Sequence, residues 1–209
     1  MYVAANQKQV TELNKWCLQI LHDVQQDVKP YFTFDIRLIG SGEKKLVLKN
    51  GQGVFDLDYN IIIKRDKQEI INNPEQIKKI FIGSFNRILK NYVNGFLKFD
   101  ERNVQNSTSV ITIILENKNH LAFSFDVAIL FDCDNGYTYR LVYDKRSQRY
   151  IWNQIKGSKD YYYKYERIKA NGQFPQFKDR YIELKNMHLK RNNNRKSFSI
   201  FLETLNEFR

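Results

Sequence analysis

The residues with the clearest chemical meaning are three aspartates. Asp56 and Asp58 stand two apart in VFDLDYNIIIK, and Asp126 stands in HLAFSFDVAILF. In a strand alternate side chains share a face, so Asp56 and Asp58 point one way while Leu57 and Tyr59 point the other. Two carboxylates held side by side repel each other at neutral pH, and the usual reason to keep them together is a divalent cation. Asp126 is flanked by Phe123, Phe125, Val127 and Ile129. A lone carboxylate in such surroundings costs several kcal/mol unless a cation or hydrogen bonds compensate it. Upstream, an apolar approach ends in Gly40-Ser41-Gly42, with Lys44 and Lys45 close behind. Glycines on both sides of Ser41 let backbone N–H groups come near an anion.

Each of these residues needs an element to hold it. Phe32 to Ile39 alternates apolar positions at Phe32, Phe34, Ile36 and Leu38, and reads as a strand that delivers the chain to the glycine turn. Glu43 to Lys49 is expected to form a short helix that keeps Lys44 and Lys45 near that turn. Val54 to Lys64 is the strand carrying the acid pair, and Ile61-Ile62-Ile63 at its far end implies a central strand buried on both faces. Ser107 to Glu116 and His120 to Phe131 read as a hairpin around Asn117-Lys118-Asn119, with Asp126 on its second arm. Asn60 carries no assigned role.

Helices must cover these strands. From Ala4 to Val28, Val10, Leu13, Trp16, Cys17, Ile20, Leu21 and Val24 recur at helical spacing, and Pro30 stops the pattern. Asn73 and Pro74 open a second amphipathic helix that runs to about Phe96. Two further strands, Gly136 to Tyr143 and Arg149 to Ile155, precede an aromatic, helical pattern from Lys159 onward. Asp132, Asp134 and Gly136 in FDCDNG lack the downstream acid of a calcium loop and read as a hairpin turn. The three histidines, His22, His120 and His188, define no triad and no metal set.

The order Gly-Ser, then Asp-x-Asp opening an apolar strand, then one Asp on a later strand resembles the DNA polymerase β-like nucleotidyltransferase superfamily, over Phe34 to Phe131. The resemblance implies that Gly40 and Ser41 hold nucleotide phosphates, that Lys44 or Lys45 adds charge there, and that Asp56, Asp58 and Asp126 bind two Mg²⁺ (or Mn²⁺) ions. The C-terminal segment YIELKNMHLKRNNNRKSFSIFLETLNEFR is similar to the helix pair that follows the catalytic core in oligoadenylate synthase, cyclic GMP-AMP synthase and their bacterial relatives. On that likeness Lys185 and Ser199 help to hold the triphosphate. Those enzymes continue with further helices beyond the position of Arg209.

The expected fold is therefore α+β, a nucleotidyltransferase-type mixed sheet flanked by helices. Residues 1–157 form the catalytic core and 158–209 a small C-terminal helical segment, with the boundary near Gly157-Ser158. With 209 residues, 42% of them hydrophobic, the chain can bury an ordinary core and is not disordered. Its net charge of +11 favours polyanionic partners, and argues against the cationic substrates of small-molecule adenylyltransferases, whose pockets are usually acidic. The N-terminus lacks a signal-peptide pattern and no apolar run approaches a membrane span, so a cytoplasmic protein without membrane contact is expected. Cys17 and Cys133 have no metal-ligand spacing and read as reduced thiols. The resulting expectation is an enzyme that transfers a nucleotide from an NTP to a hydroxyl, either an RNA end or a second nucleotide, with antiviral defence among the roles this permits. The alternative is a non-catalytic nucleic-acid-binding protein on the same fold. The nucleotide, the product linkage and the oligomeric state are not encoded in any motif.

Overall fold

A computed structural model describes residues 1–51, 55–92, 97–98, 103–117, 122–133, 137–155 and 160–208. In chain order the elements are β1 (Tyr2–Ala4), α1 (Gln7–Asp27), β2 (Phe32–Ile39), α2 (Gly40–Glu43), β3 (Leu48–Asn50), β4 (Asp56–Asp66), α3 (Pro74–Asn91), β5 (Leu97–Lys98) and β6 (Val104–Asn106). They continue with β7 (Ile111–Asn117), β8 (Ala122–Asp132), β9 (Thr138–Asp144), β10 (Arg149–Gln154), α4 (Asp160–Ala170), α5 (Phe174–Lys190) and α6 (Ser197–Glu207). Val54, the turn residues Lys118 and Asn119, His120, Asp134, Gly136 and the Gly157-Ser158 boundary lie outside the described residues.

The chain divides into two compact units. The larger comprises Asn6–Val47 and Val54–Ile155. Its sheet, among the described residues, runs β10-β9-β8-β4-β2, with β7 also pairing to β8 and β5 and β6 pairing to β7. Strand β4 lies between two neighbours, antiparallel to β2 and parallel to β8. This explains the triple isoleucine: Ile61, Ile62 and Ile63 are all buried, as a strand with neighbours on both sides requires. The fold is the mixed sheet with flanking helices that the residues imply.

One face of the sheet makes the core. Leu57, Tyr59 and Ile61 of β4 and Phe125, Val127 and Ile129 of β8 are buried there. Tyr59 meets Phe125 edge-on at 5.9 Å between centroids, Phe85 of α3 meets Phe125 at 6.5 Å, and Phe81 of α3 stacks on Phe32 at 5.7 Å. Helix α1 joins the same core through Cys17, Ile20, Leu21 and Val24, and its Asn14 accepts a hydrogen bond from the Tyr59 hydroxyl at 2.7 Å. Burial pushes the Cys17 thiol up to about 12, and both cysteines are free, as expected of reduced thiols.

Element boundaries differ from the sequence reading where local chemistry decides. Helix α1 starts at Gln7, not Ala4, because the Asn6 side chain accepts the Lys8 and Gln9 N–H groups and β1 pairs with β3. Helix α3 starts at Pro74 with Asn73 as its cap and ends at Asn91, short of Phe96. The expected helix over Glu43 to Lys49 is absent. Instead the glycine turn itself makes one helical turn, α2, and Lys45 takes a positive φ of 56°. Leu46 and Val47 are then buried, and the chain enters β3. Two neighbouring apolar side chains that both need cover outweigh the weak helical preference of Glu43-Lys44-Lys45.

The smaller unit comprises Met1–Ala5, Leu48–Gly53 and Lys156–Arg209, so it takes in two segments that the sequence reading assigns to the catalytic core. Its interior is aromatic: Phe177 of α5 packs on Tyr165 of α4 and on Phe201 of α6, each at 5.7 Å. Asn186 of α5 ties in β1, accepting the Tyr2 N–H at 2.6 Å and donating to the Tyr2 carbonyl at 3.0 Å. No helix among the described residues is long and apolar enough to cross a membrane.

Candidate active site

The three aspartates come together through strand register. Asp58 is paired with Asp126 across the parallel β4–β8 ladder, and Asp56 is paired with Ser124 two residues earlier. Because Leu57, Tyr59, Phe125 and Val127 point into the core, all three carboxylates project from the opposite face. Asp56 is exposed, whereas Asp58 and Asp126 are half-buried. Asp56 accepts a hydrogen bond from the Ser124 hydroxyl, and Asp126 accepts one from the Thr112 hydroxyl of β7 at 2.6 Å.

The glycine turn meets this cluster at Asp58. Ile39, the last residue of β2, is paired with Asp58, so the chain must turn beside that carboxylate. Gly40 does so with φ of +65°, and a Cβ placed on it would lie 2.5 Å from Asp58 Oδ2. Glycine is required here on both grounds, conformation and space. Ser41 is half-buried in the turn, and its carbonyl accepts the Leu46 N–H at 2.9 Å. The Lys44 ammonium folds back on the turn, 3.4 Å from the Gly40 carbonyl and 3.2 Å from Glu43. Lys45 is exposed.

The electrostatics follow from this crowding. Burial, then the charges of Asp126 and Asp56, push Asp58 up to about 6, against a partial offset from Arg140 and Lys44. Burial also raises Asp126, with the Thr112 hydrogen bond opposing and Asp56 adding to the shift. Arg140 of β9 is pulled below its usual range by burial, with Asp58 opposing, and its Nε has no hydrogen-bond partner.

A cation suits these donors. Three carboxylates on one face are hard oxygen ligands of the kind Mg²⁺ and Mn²⁺ take, and two of them hold protons more tightly than a free aspartate because burial and the neighbouring carboxylates disfavour their charged forms. Among the described residues no group of His, Cys, Asp and Glu is already drawn in around a single metal position. The fit therefore rests on the chemistry of the donor set.

Lys185 and Ser199 belong to the smaller unit. Lys185 of α5 is half-buried, with its ammonium 4.2 Å from the centroid of Tyr2 and 5.8 Å from that of Tyr181. It donates to the hydroxyl of Ser197 at 3.1 Å, so the serine it engages is the first residue of α6 and not Ser199. Ser199 is half-buried one turn-half further on. Sequence reasoning also missed Thr112, Ser124 and Arg140. Register alone reveals the first two, since each lies across a ladder from, or hydrogen-bonds to, an acid already identified.

No protein-family model matches the chain, and no curated protein matches it in sequence. Solved structures do match. CdnC of E. coli MS115-1 with ATP aligns at a TM-score of 0.57 and 12% identity, over 94% of this chain and 58% of that one. The same protein in its CdnC:HORMA-deltaN complex aligns at 0.59 and 12% identity, over 96% and 58%. Vibrio cholerae DncV in its GTP-bound form aligns at 0.56 and 10% identity, over 90% and 49%. The chain thus spans a little over half the length of the CdnC chains it matches. It shares the fold of CdnC and DncV, a mixed sheet with flanking helices, and carries its acids and glycine turn on that sheet.

Proposed function

We propose that this protein transfers a nucleotide from an NTP to a hydroxyl acceptor and releases pyrophosphate. The observation that carries the reading is the register of Asp58 against Asp126 with the Gly40 backbone pressed onto the Asp58 carboxylate. That juxtaposition puts backbone N–H groups suited to an anion beside carboxylates suited to a cation, and a metal-bound polyphosphate meets both needs. Asp56, Asp58 and Asp126 would hold divalent cations, Mg²⁺ or Mn²⁺, which when bound supply positive charge to the phosphates and to the attacking oxygen.

The residues of the chain have separate tasks. Backbone N–H groups of Gly40 and Ser41 hold the terminal phosphates, and Lys44, already folded onto the turn, adds charge; Lys45 stands exposed beside it. In the smaller unit Lys185 has two aromatic rings and the Ser197 hydroxyl around its ammonium, a cationic group with Ser197 and Ser199 on α6 that suits a phosphate. In the transfer itself the acceptor oxygen bonds to the α-phosphorus, the bond to the bridging oxygen of the β-phosphate breaks, and pyrophosphate leaves. Asp126, its carboxylate oriented by the Thr112 hydroxyl, is placed to receive the acceptor proton.

Neighbours on this fold have been solved with ATP and with GTP, which supports a nucleotide as the donor. The strongly basic composition favours an RNA end or a second nucleotide as acceptor. The test is to incubate each α-labelled NTP with Mg²⁺ or Mn²⁺, with and without total RNA, with Asp56→Asn/Asp58→Asn as control. Label in RNA identifies an RNA-modifying transferase, and label in a small phosphatase-resistant product identifies a nucleotide-messenger synthase. If no label moves under any condition, the enzymatic reading fails and a nucleic-acid-binding module takes its place.

A further inference from the structure

Within the smaller unit, one lysine is seated on aromatic rings. The Lys185 ammonium lies 4.2 Å from the centroid of the Tyr2 ring and 5.8 Å from that of Tyr181, and it donates to the Ser197 hydroxyl at 3.1 Å. Both ring distances fall within the ~6 Å over which an aromatic face attracts a cation. Tyr2 stands on β1, far from α5 in sequence, and its backbone brings it there. It is paired with Asn50 of β3. Its N–H donates to the Asn186 side chain at 2.6 Å, and its carbonyl accepts from the same amide at 3.0 Å. The Asn186 amide so takes the place of a further strand beside β1. Asn186 directly follows Lys185 on α5, so the ring and the ammonium are both fixed from one short stretch of helix.

An aromatic face does something for a cation that an acid does not. A carboxylate at the place of the Tyr2 ring would cancel the ammonium charge and repel a phosphate. The ring attracts the ammonium through its quadrupole and carries no net charge, so the cation is held without being neutralised. Burial pulls the Lys185 amine below its ordinary value, and the ring faces favour the charged form against that pull. A free lysine gives up most of its rotamer freedom when it closes on an anion. A lysine already seated on two rings and a hydroxyl has less freedom to lose, and binds an anion the more readily for it.

We propose that Tyr2 is a positioning residue for Lys185: its ring, pinned to α5 by Asn186, seats the ammonium for a phosphate of the bound NTP. The proposal rests on the nucleotidyl-transfer reading above and deepens it, naming what orients a phosphate-binding group. Tyr2 touches no phosphate itself and acts through Lys185. Its ring is half-buried, and its contribution to phosphate affinity is about fivefold, or about 1 kcal/mol.

The experiment measures binding of tripolyphosphate with Mg²⁺ to the full chain by calorimetry, together with KM and kcat for label transfer from NTP. The variants are Tyr2→Phe, Tyr2→Leu, Asn186→Ala and Lys185→Met, with Tyr2→Leu/Lys185→Met closing a double-mutant cycle. Tyr2→Leu is expected to weaken tripolyphosphate about fivefold and to raise KM by the same factor, with kcat within about twofold of wild type. Tyr2→Phe keeps the ring and is expected to behave as wild type. In the Lys185→Met background Tyr2→Leu is expected to add nothing. Asn186→Ala unpins the strand with the ring intact, and is expected to give a loss of the same kind even if Tyr2→Leu does not fold. Wild-type binding in both Tyr2→Leu and Asn186→Ala overturns the proposal. So does a Tyr2→Leu loss that Tyr2→Phe shares, or one that persists at full size in the Lys185→Met background, which marks a strand with a merely structural role. Lys185→Met that binds tripolyphosphate as wild type also overturns it, with transfer by the aspartates left intact. The expected binding pattern without any label transfer counts against the nucleotidyl-transfer reading and leaves Tyr2 as the seat of a phosphate-binding lysine.

Discussion

Replacing Gly40 by alanine tests how the turn positions Asp58. Two costs combine. A non-glycine residue at φ of +65° costs about 1–2 kcal/mol, and the new Cβ would lie 2.5 Å from Asp58 Oδ2, well inside contact distance. The easiest relief is rotation of the Asp58 side chain away from the turn, because β2 and β4 are locked by their ladder. For a chain of this size the conformational cost corresponds to a fall in Tm of about 2–8 °C. A carboxylate displaced by about an ångström from its productive position should lower transfer by about a hundredfold. Gly51→Ala is the control, since Gly51 has φ of +59° and nothing within 4 Å of its would-be Cβ. It carries the conformational cost without the collision. Gly42→Ala is a second control, crowding Leu38 at 2.9 Å and Leu57 at 3.1 Å but no carboxylate. Thermal melts, Mn²⁺ binding and label transfer should show all three variants destabilised and Gly40→Ala alone defective at the metal and in transfer. If Gly40→Ala retains wild-type Mn²⁺ affinity and activity, the close approach is not what places Asp58 and the reasoning fails.

Other expectations follow from charges held in unfavourable places. The pKa of Asp58 is raised, to about 6, so the folded protein binds its proton more tightly than the unfolded chain does, and stability of the metal-free protein falls as pH rises from about 4 to about 6. Asp58→Asn should remove that slope and stabilise the metal-free protein at pH 7 by about 1–2 kcal/mol once solvent screening is allowed for, measured by chemical denaturation across pH. Lys78 of α3 is buried, with burial pulling its amine down to about 8, and it donates at 2.9 Å to the Val110 carbonyl, which also accepts the Ser107 N–H. Lys78→Met leaves that carbonyl satisfied and should raise stability at pH 7 by about 1 kcal/mol or more, with the gain shrinking as pH rises from about 8 to about 10.5. Thr112→Val removes the hydrogen bond that steadies the Asp126 carboxylate and should lower transfer about tenfold near pH 6 with partial recovery at higher pH, read from a pH–rate profile. Lys185→Met should change the melting temperature little and raise the KM for NTP about tenfold, seen in initial-rate kinetics.

Much of the fold was legible because its strands are strongly marked. The alternation of Phe32 to Ile39 and the triple isoleucine after Asp58 follow from one-sided and two-sided burial, and those strands formed where they were expected. The acid cluster was legible in part: the same-face relation of Asp56 and Asp58 is a property of any strand, whereas the alignment of Asp126 with Asp58 depends on a parallel register that no local pattern specifies. Thr112, Ser124 and Arg140 were hidden for the same reason, being assembled by ladders between residues far apart in the chain. The short helix at Gly40 was missed because Leu46 and Val47 compete for burial, a tertiary demand that outweighs local propensity. Lys185 and Ser199 entered through likeness to known enzymes, whereas the hydrogen bond from Lys185 to Ser197 joins two helices and is specified by no local pattern.

The central claim is that Asp56, Asp58 and Asp126 carry out nucleotidyl transfer, and the most direct measurement follows both ends of the triphosphate. Parallel reactions with α-labelled and γ-labelled NTP, in Mg²⁺ or Mn²⁺, should leave the α-label in the acceptor product and release the γ-label as pyrophosphate in equal amount, with both signals lost in Asp58→Asn. Release of the γ-label as inorganic phosphate with no α-label in any product, or transfer that survives Asp58→Asn undiminished, would contradict the account.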